Sequence, residues 1–150
     1  MYVVDCFLQQ FHLQVGNAGG GGVFVPAKTY ALKGTLTVPA ATVLRGSNEY
    51  PFRSWGTPTK VVGTTLLAYA GKGNSSAEPF VFLNGADSGI QGLSIFYPEQ
   101  SFNSTVPTEY PPTIRGSGDN VVVQNVFLVN PVFGIDFATF PCGRHLINGV

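Results

Sequence analysis

The chain has little charge. Asp, Glu, Lys and Arg make up 11% of its 150 residues, against ~25% in an average soluble domain, and eight basic residues balance eight acidic ones. Binding to nucleic acid calls for a basic stripe, and none is visible, so no nucleic-acid partner is expected. No apolar run reaches the ~18 residues that a membrane-crossing helix needs, so no membrane partner is expected either. Cysteine is scarce. Cys6 and Cys142 stand at opposite ends of the sequence, and although His145 follows Cys142 by three positions, two further ligands for a metal are missing. No metal and no cofactor are expected. The sequence also lacks GxSxG and HExxH motifs, and the glycine run at residues 19–22 lacks the GK[ST] of a phosphate loop. The opening residues, MYVVDCFLQQFHLQV, show neither a positively charged start nor a small-residue cleavage site.

What the sequence does have is punctuation. It holds 19 Gly and 11 Pro, a frequency that favours many short elements, while a hydrophobic content of 44% supplies a core. Residues 19–46, GGGGVFVPAKTYALKGTLTVPAATVLRG, contain four short β-type runs at 23–25, 30–32, 36–38 and 42–44. They are joined by a few residues rich in Gly, Pro, Ala or Lys, without the Asn-Gly signal of a tight hairpin. Such runs suit a chain that keeps bending in one direction, although an antiparallel sandwich can use strands of the same length.

This stretch resembles the opening of pectate-lyase-like right-handed parallel β-helix domains, the group of rhamnogalacturonases, epimerases and pectate lyases. The Gly run at 19–22, the VFVPAKTY strand and turn at 23–30, GTLTVP at 34–39 and TVLRG at 42–46 stand in the family's order. The resemblance covers most of residues 16–150, and GLSIFYPEQ at 92–100 looks closer to exo-β-1,3-glucanase-like relatives. It implies an all-β fold, a right-handed parallel β-helix with a short N-terminal capping helix, here placed at residues 5–15. It also implies an extracellular, polysaccharide-active protein, a glycoside hydrolase or polysaccharide lyase. The alternative is a non-catalytic glycan-binding β-helix, such as an adhesin or a tail-spike-like module. The NTD, DD, GHG and RIK motifs of polygalacturonases are missing, so that catalytic set does not carry over.

Two weak internal repeats support the same fold. Ile90-Gln91-Gly92-Leu93, Val123-Gln124-Asn125-Val126 and Ile147-Asn148-Gly149-Val150 share an order, at spacings of 33 and 24 residues. Val43-Leu44-Arg45-Gly46, Phe82-Leu83-Asn84-Gly85 and Thr113-Ile114-Arg115-Gly116 form a second series. Residues 47–60, 71–78 and 98–112 read as long loops by composition. Asn125 and Asn130 suit a stacked-amide ladder, and Val25, Leu36, Val38, Leu93, Ile95, Val126 and Leu128 are expected to point inward. The apolar strand pattern at 146–150 suggests one partial domain, residues 1–150, that continues beyond Val150.

Polysaccharide cleavage uses paired carboxylates, or a base beside a charge-stabilising cation. Asp136, inside the apolar FGIDF strand at 133–137, and Glu99, where a strand gives way to the longest loop, are the candidate catalytic acids. Both are expected to face outward on the side that carries the long loops. Tyr97, beside Glu99, is a candidate sugar-stacking ring. Arg144 and His145 follow Asp136 by eight and nine residues and are candidate substrate-binding groups for a uronate-type ligand. The expected partner is a polysaccharide or oligosaccharide.

Overall fold

The computed structural model describes residues 2–3, 18–48, 63–101 and 103–150. Within them the chain is all-β. Its strands, in order, are β1 (Tyr2–Val3), β2 (Gly21–Phe24), β3 (Thr29–Leu32), β4 (Leu36–Pro39), β5 (Thr42–Arg45) and β6 (Thr65–Ala68). There follow β7 (Val81–Asn84), β8 (Gly89–Phe96), β9 (Ile114–Ser117), β10 (Val122–Val129), β11 (Ile135–Asp136) and β12 (Leu146–Asn148). The described residues contain no helix, and the capping helix expected at 5–15 lies outside them. Each of the four runs read from residues 19–46 coincides with a strand; three are extended by one residue, and the first is shifted to begin at Gly21 and end at Phe24.

Every strand pairing among the described residues is parallel, which removes the antiparallel sandwich. β4, β7, β9 and β11 form a four-stranded sheet, and the other eight strands form a second sheet. The larger sheet has two arms that meet in β8. Gly89, Ile90 and Gln91 pair with β5, whereas Ser94, Ile95 and Phe96 pair with β6. The chain therefore visits three stacks of strands in one repeating order, which parallel pairing through short connections requires.

The bend between the two arms is made by a column of residues with left-handed backbone. Gln91 faces Gln124 and Gln124 faces Asn148, which brings Gly92, Asn125 and Gly149 into line one residue later. Their φ angles are +66°, +51° and +67°. Gly and Asn adopt this conformation at least cost, which explains the residue types. At Gly92 a Cβ would also lie 2.6 Å from the carbonyl oxygen of Asn48, so the position excludes any side chain. The repeat seen at Ile90, Val123 and Ile147 is thus a true register, but the neighbours of Asn125 in the bend column are Gly92 and Gly149, so the stacked-amide ladder expected at Asn125 is not formed there.

The second sequence repeat is corrected. Leu44 faces Ile90 and Arg45 faces Gln91, so Val43-Leu44-Arg45-Gly46 belongs to the first series. Phe82 faces Arg115 and Leu83 faces Gly116, two positions away from the alignment that the motif suggested. The eye matched Arg-Gly and Asn-Gly endings, whereas inward alternation sets the register.

That alternation builds one core. Val23, Leu44, Ile90 and Val123 form an inward column on one side, facing Leu36, Val81 and Ile114 from the other sheet. Each fully buried aliphatic side chain contributes about 1.5–3 kcal/mol. Val25, Leu36, Val38, Leu93, Ile95 and Val126 are buried as expected, and Leu128 is half-buried against the same cluster. Phe80, Tyr97 and Tyr110 add three fully enclosed rings beneath the loops at 69–80 and 97–113. Thr64, also fully buried, ties three segments together. Its Oγ1 donates to the carbonyl of Val25 at 2.7 Å, and its N–H donates to Asn48 Oδ1 at 2.8 Å.

Candidate functional site

Two outward faces carry polar and aromatic groups. On the four-stranded sheet, Thr37, Phe82, Arg115 and Asp136 form one outward column. Arg115 Nε donates to Asp136 Oδ2 at 2.8 Å, and Thr139 Oγ1 donates to the same oxygen at 2.6 Å. The N–H groups of Ala138 and Thr139 both donate to Oδ1 at 3.0 Å. Burial alone would raise the Asp136 carboxyl, but the bonds from Thr139, Ala138 and Arg115 outweigh it and hold the group well below the ordinary carboxylate range. Asp136 therefore stays ionised and cannot deliver a proton near neutrality.

Asp136 ends β11, and by binding the N–H groups two and three residues on it turns the chain back over the sheet. Phe140 lands there. Its ring centroid lies 5.9 Å from that of Phe82 and 6.0 Å from the Arg115 guanidinium carbon, and the residue is 41% exposed. A ring open to solvent beside a guanidinium suits a sugar, whose apolar face stacks while its hydroxyls accept hydrogen bonds.

The second face lies on the arm formed by β2, β5, β8, β10 and β12. Phe24, Arg45, Gln91, Gln124 and Asn148 make one outward column. At its upper end Gly22, Phe24, Arg45, Gly46, Ser47 and Asn48 line an open concavity of about 620 Å³.

The residues singled out from the sequence are dispersed. Asp136 faces outward as expected, but its carboxylate is engaged as described. Glu99 is exposed on the long-loop side and pairs with Lys72 at 3.1 Å, joining the loops at 69–80 and 97–113. Tyr97 does not serve as a sugar platform: its ring is 1% exposed and packs edge-on against Tyr110 with centroids 4.7 Å apart. Its hydroxyl donates to Thr113 Oγ1 at 2.9 Å, and that hydroxyl donates in turn to the Phe133 carbonyl at 2.8 Å. Burial pushes the Tyr97 phenol up to about 12, against the hydrogen bond to Thr113 and with the help of Tyr110. Tyr97 continues the inward side of the alternation after Leu93 and Ile95, so its ring turns under the loop and away from solvent.

Arg144 does not reach Asp136. It pairs with Asp119 at 2.8 Å, while Arg115 takes the place beside Asp136. His145 packs its ring on Phe137 at 4.8 Å and meets the Cys142 carbonyl at 3.2 Å through Nδ1. Among the described residues no cluster of three or more His, Cys, Asp or Glu could hold a metal. Sequence reasoning missed Arg115, Phe82 and Phe140, because only the register sets them side by side. Gln91, Gln124 and Asn148 were visible as the amide position of the first repeat.

No protein-family model matches the chain, and no curated protein or solved structure matches it.

Proposed function

We propose that the chain is a right-handed parallel β-helix of the pectate-lyase-like kind that binds an extended extracellular polysaccharide. The observation that carries this reading is the half-open Phe140 ring set against Arg115 and Phe82 on a flat face of parallel strands. The three strand stacks visited in one order, and the resemblance of residues 19–46, support the β-helix. Recognition is favoured over cleavage. Asp87, Glu99, Glu109, Asp119 and Asp136 each accept a hydrogen bond or an ion pair from a neighbouring side chain. Hydrolysis needs two carboxyl groups set for proton delivery and attack, about 5–10 Å apart, and acids committed in this way are poor candidates.

The test is retention of the chain on a panel of neutral and acidic linear polysaccharides, with product analysis for cleavage. The expected result is binding without depolymerisation, weakened severalfold by Phe140→Ala. Absence of binding across the panel overturns the reading, and depolymerisation that survives purification replaces binding with catalysis.

A further inference from the structure

Asn74-Ser75-Ser76 and Asn103-Ser104-Thr105 each place a hydroxyl residue two positions after an Asn, with no Pro between them. That is the acceptor pattern for an N-linked oligosaccharide. No other Asn of the chain has Ser or Thr two positions on. Such triplets arise by chance, so what decides their use is where the fold puts them.

The fold puts both on the surface and on the same side. Every residue of the two triplets is exposed. Asn74 lies on the loop from β6 to β7, and Asn103 on the loop from β8 to β9. The two loops are joined. The Gly73 N–H donates to the Glu109 carbonyl at 2.8 Å, Ser75 Oγ donates to Glu109 Oε2 at 3.4 Å, and Lys72 pairs with Glu99. The lobe that carries Asn103 is closed at its base, where Gln100 and Thr108 exchange two hydrogen bonds of 2.9 Å. The bond that Asn74 accepts from the Ser76 N–H at 2.9 Å engages its Oδ1 and not Nδ2, the atom that a sugar joins.

Both loops lead into the four-stranded sheet, at the starts of β7 and β9. The turn that carries Phe140 leaves from the end of β11, so the length of the parallel strands separates it from both Asn residues. A chain with eight basic and eight acidic residues has no net charge to hold its copies apart. Val106, next to the second triplet, is 77% exposed. A bulky, hydrated sugar on this side supplies the solubility that the charges do not.

We infer that Asn74 and Asn103 are N-glycosylation sites, and that their oligosaccharides form one crest that solubilises the chain and leaves the Phe140–Arg115 face open. In the transfer, Nδ2 bonds to the anomeric carbon of a lipid-linked oligosaccharide, and the bond from that carbon to the pyrophosphate oxygen breaks. The lipid pyrophosphate leaves with the electron pair, and the amide proton passes to a base of the transferase. Exposure of the chain to that donor rests on the extracellular reading of the proposed function; the position of the sites does not.

Secretion of the full chain from a eukaryotic host cell, behind a cleavable leader, tests it. Peptide-N-glycosidase digestion in heavy-oxygen water converts each glycosylated Asn to a heavy Asp, read by peptide mass spectrometry. The expected result is the label at both 74 and 103. Ser76→Ala and Thr105→Ala keep each Asn and should each remove one step of the shift in electrophoretic mobility. An unlabelled Asn at either position in the secreted chain overturns the inference. The doubly substituted chain is expected to reach a severalfold lower soluble concentration, and equal solubility overturns the role given to the crest. Retention on the polysaccharide panel is measured on the same material, and retention that rises when the oligosaccharides are removed contradicts the open face. Retention without label strikes this inference alone, and label without retention strikes the proposed function alone.

Discussion

On the four-stranded sheet the outward charges are closed on one another: Arg115 meets Asp136, and Asp136 in turn caps the backbone that carries Phe140. On the larger sheet Arg45 stands in an outward column without any acid, and its neighbours up and down the stack are an exposed ring and amides. Both faces sit on the same parallel register and the same core. The difference lies in where the hydrogen-bonding capacity is spent. Arg115 and Asp136 spend it within the protein, so they hold a loop and an aromatic platform in place. Among the described residues, Arg45 and the amide column have no side-chain partner to spend theirs on.

Removing charge from each face should sharpen that contrast. Asp136→Ala deletes four hydrogen bonds and leaves a half-buried Arg115 unpaired, at an expected cost of roughly 2–4 kcal/mol. Arg45→Ala should stay within about 0.5 kcal/mol of the wild type. Urea denaturation of both variants checks the pair. Equal stabilities would mean that the Asp136 network contributes nothing measurable. The pH dependence has a definite sign. Because the folded Asp136 carboxyl is held below its ordinary value, its stabilisation is complete above the unfolded carboxylate pKa and is lost as pH falls through the folded one. Asp136→Ala should therefore flatten the acid limb of stability against pH.

The bend column comes next in size, since it sets the register that aligns Arg45 with Gln91 and Gln124. Gly92→Ala places a Cβ at φ +66° and 2.6 Å from a backbone oxygen, so about 2 kcal/mol or more should be lost. Gly34→Ala, where nothing lies within 4 Å, is the control and should be near neutral. Thermal melts decide between them.

The smallest effects are expected beneath the long loops. Tyr97→Phe removes the donor to Thr113 and should cost about 1 kcal/mol. Tyr110→Phe should be neutral or stabilising, because the buried Tyr110 hydroxyl has no hydrogen-bond partner among the described residues. A larger loss at Tyr110 than at Tyr97 would reverse the assignment of these two rings. With the Tyr97 phenol raised from 10.0 to about 12, its contribution is intact below pH 10 and disappears as pH rises toward 12.

The sequence made the strands legible wherever apolar residues alternated between Gly and Pro, and residues 21–45 show this most clearly. The first repeat was legible because a left-handed bend admits few residue types, so Gly92, Asn125 and Gly149 left a pattern. The second repeat misled because Arg-Gly and Asn-Gly endings recur by chance in Gly-rich chains, while register follows burial. Side-chain partners were the least legible. Arg115 and Arg144 are equally plausible neighbours of Asp136 in the linear sequence, and only stacking puts Arg115 beside it. Tyr97 looked like a strand-end aromatic, but the residue that leaves a strand can turn its ring inward, and its neighbour Glu99 went outward instead.

The central claim is that the Phe140–Arg115 face meets a polysaccharide. Hydroxyl-radical footprinting with mass spectrometry, run with and without saturating polygalacturonate, tests it most directly. Phe24, Phe140 and Phe133 are 60%, 41% and 52% exposed, so all three are open to oxidation in the free chain. The account predicts that the glycan protects Phe140 and leaves Phe133 oxidised as before. Unchanged oxidation of Phe140, or protection confined to Phe133, would contradict it.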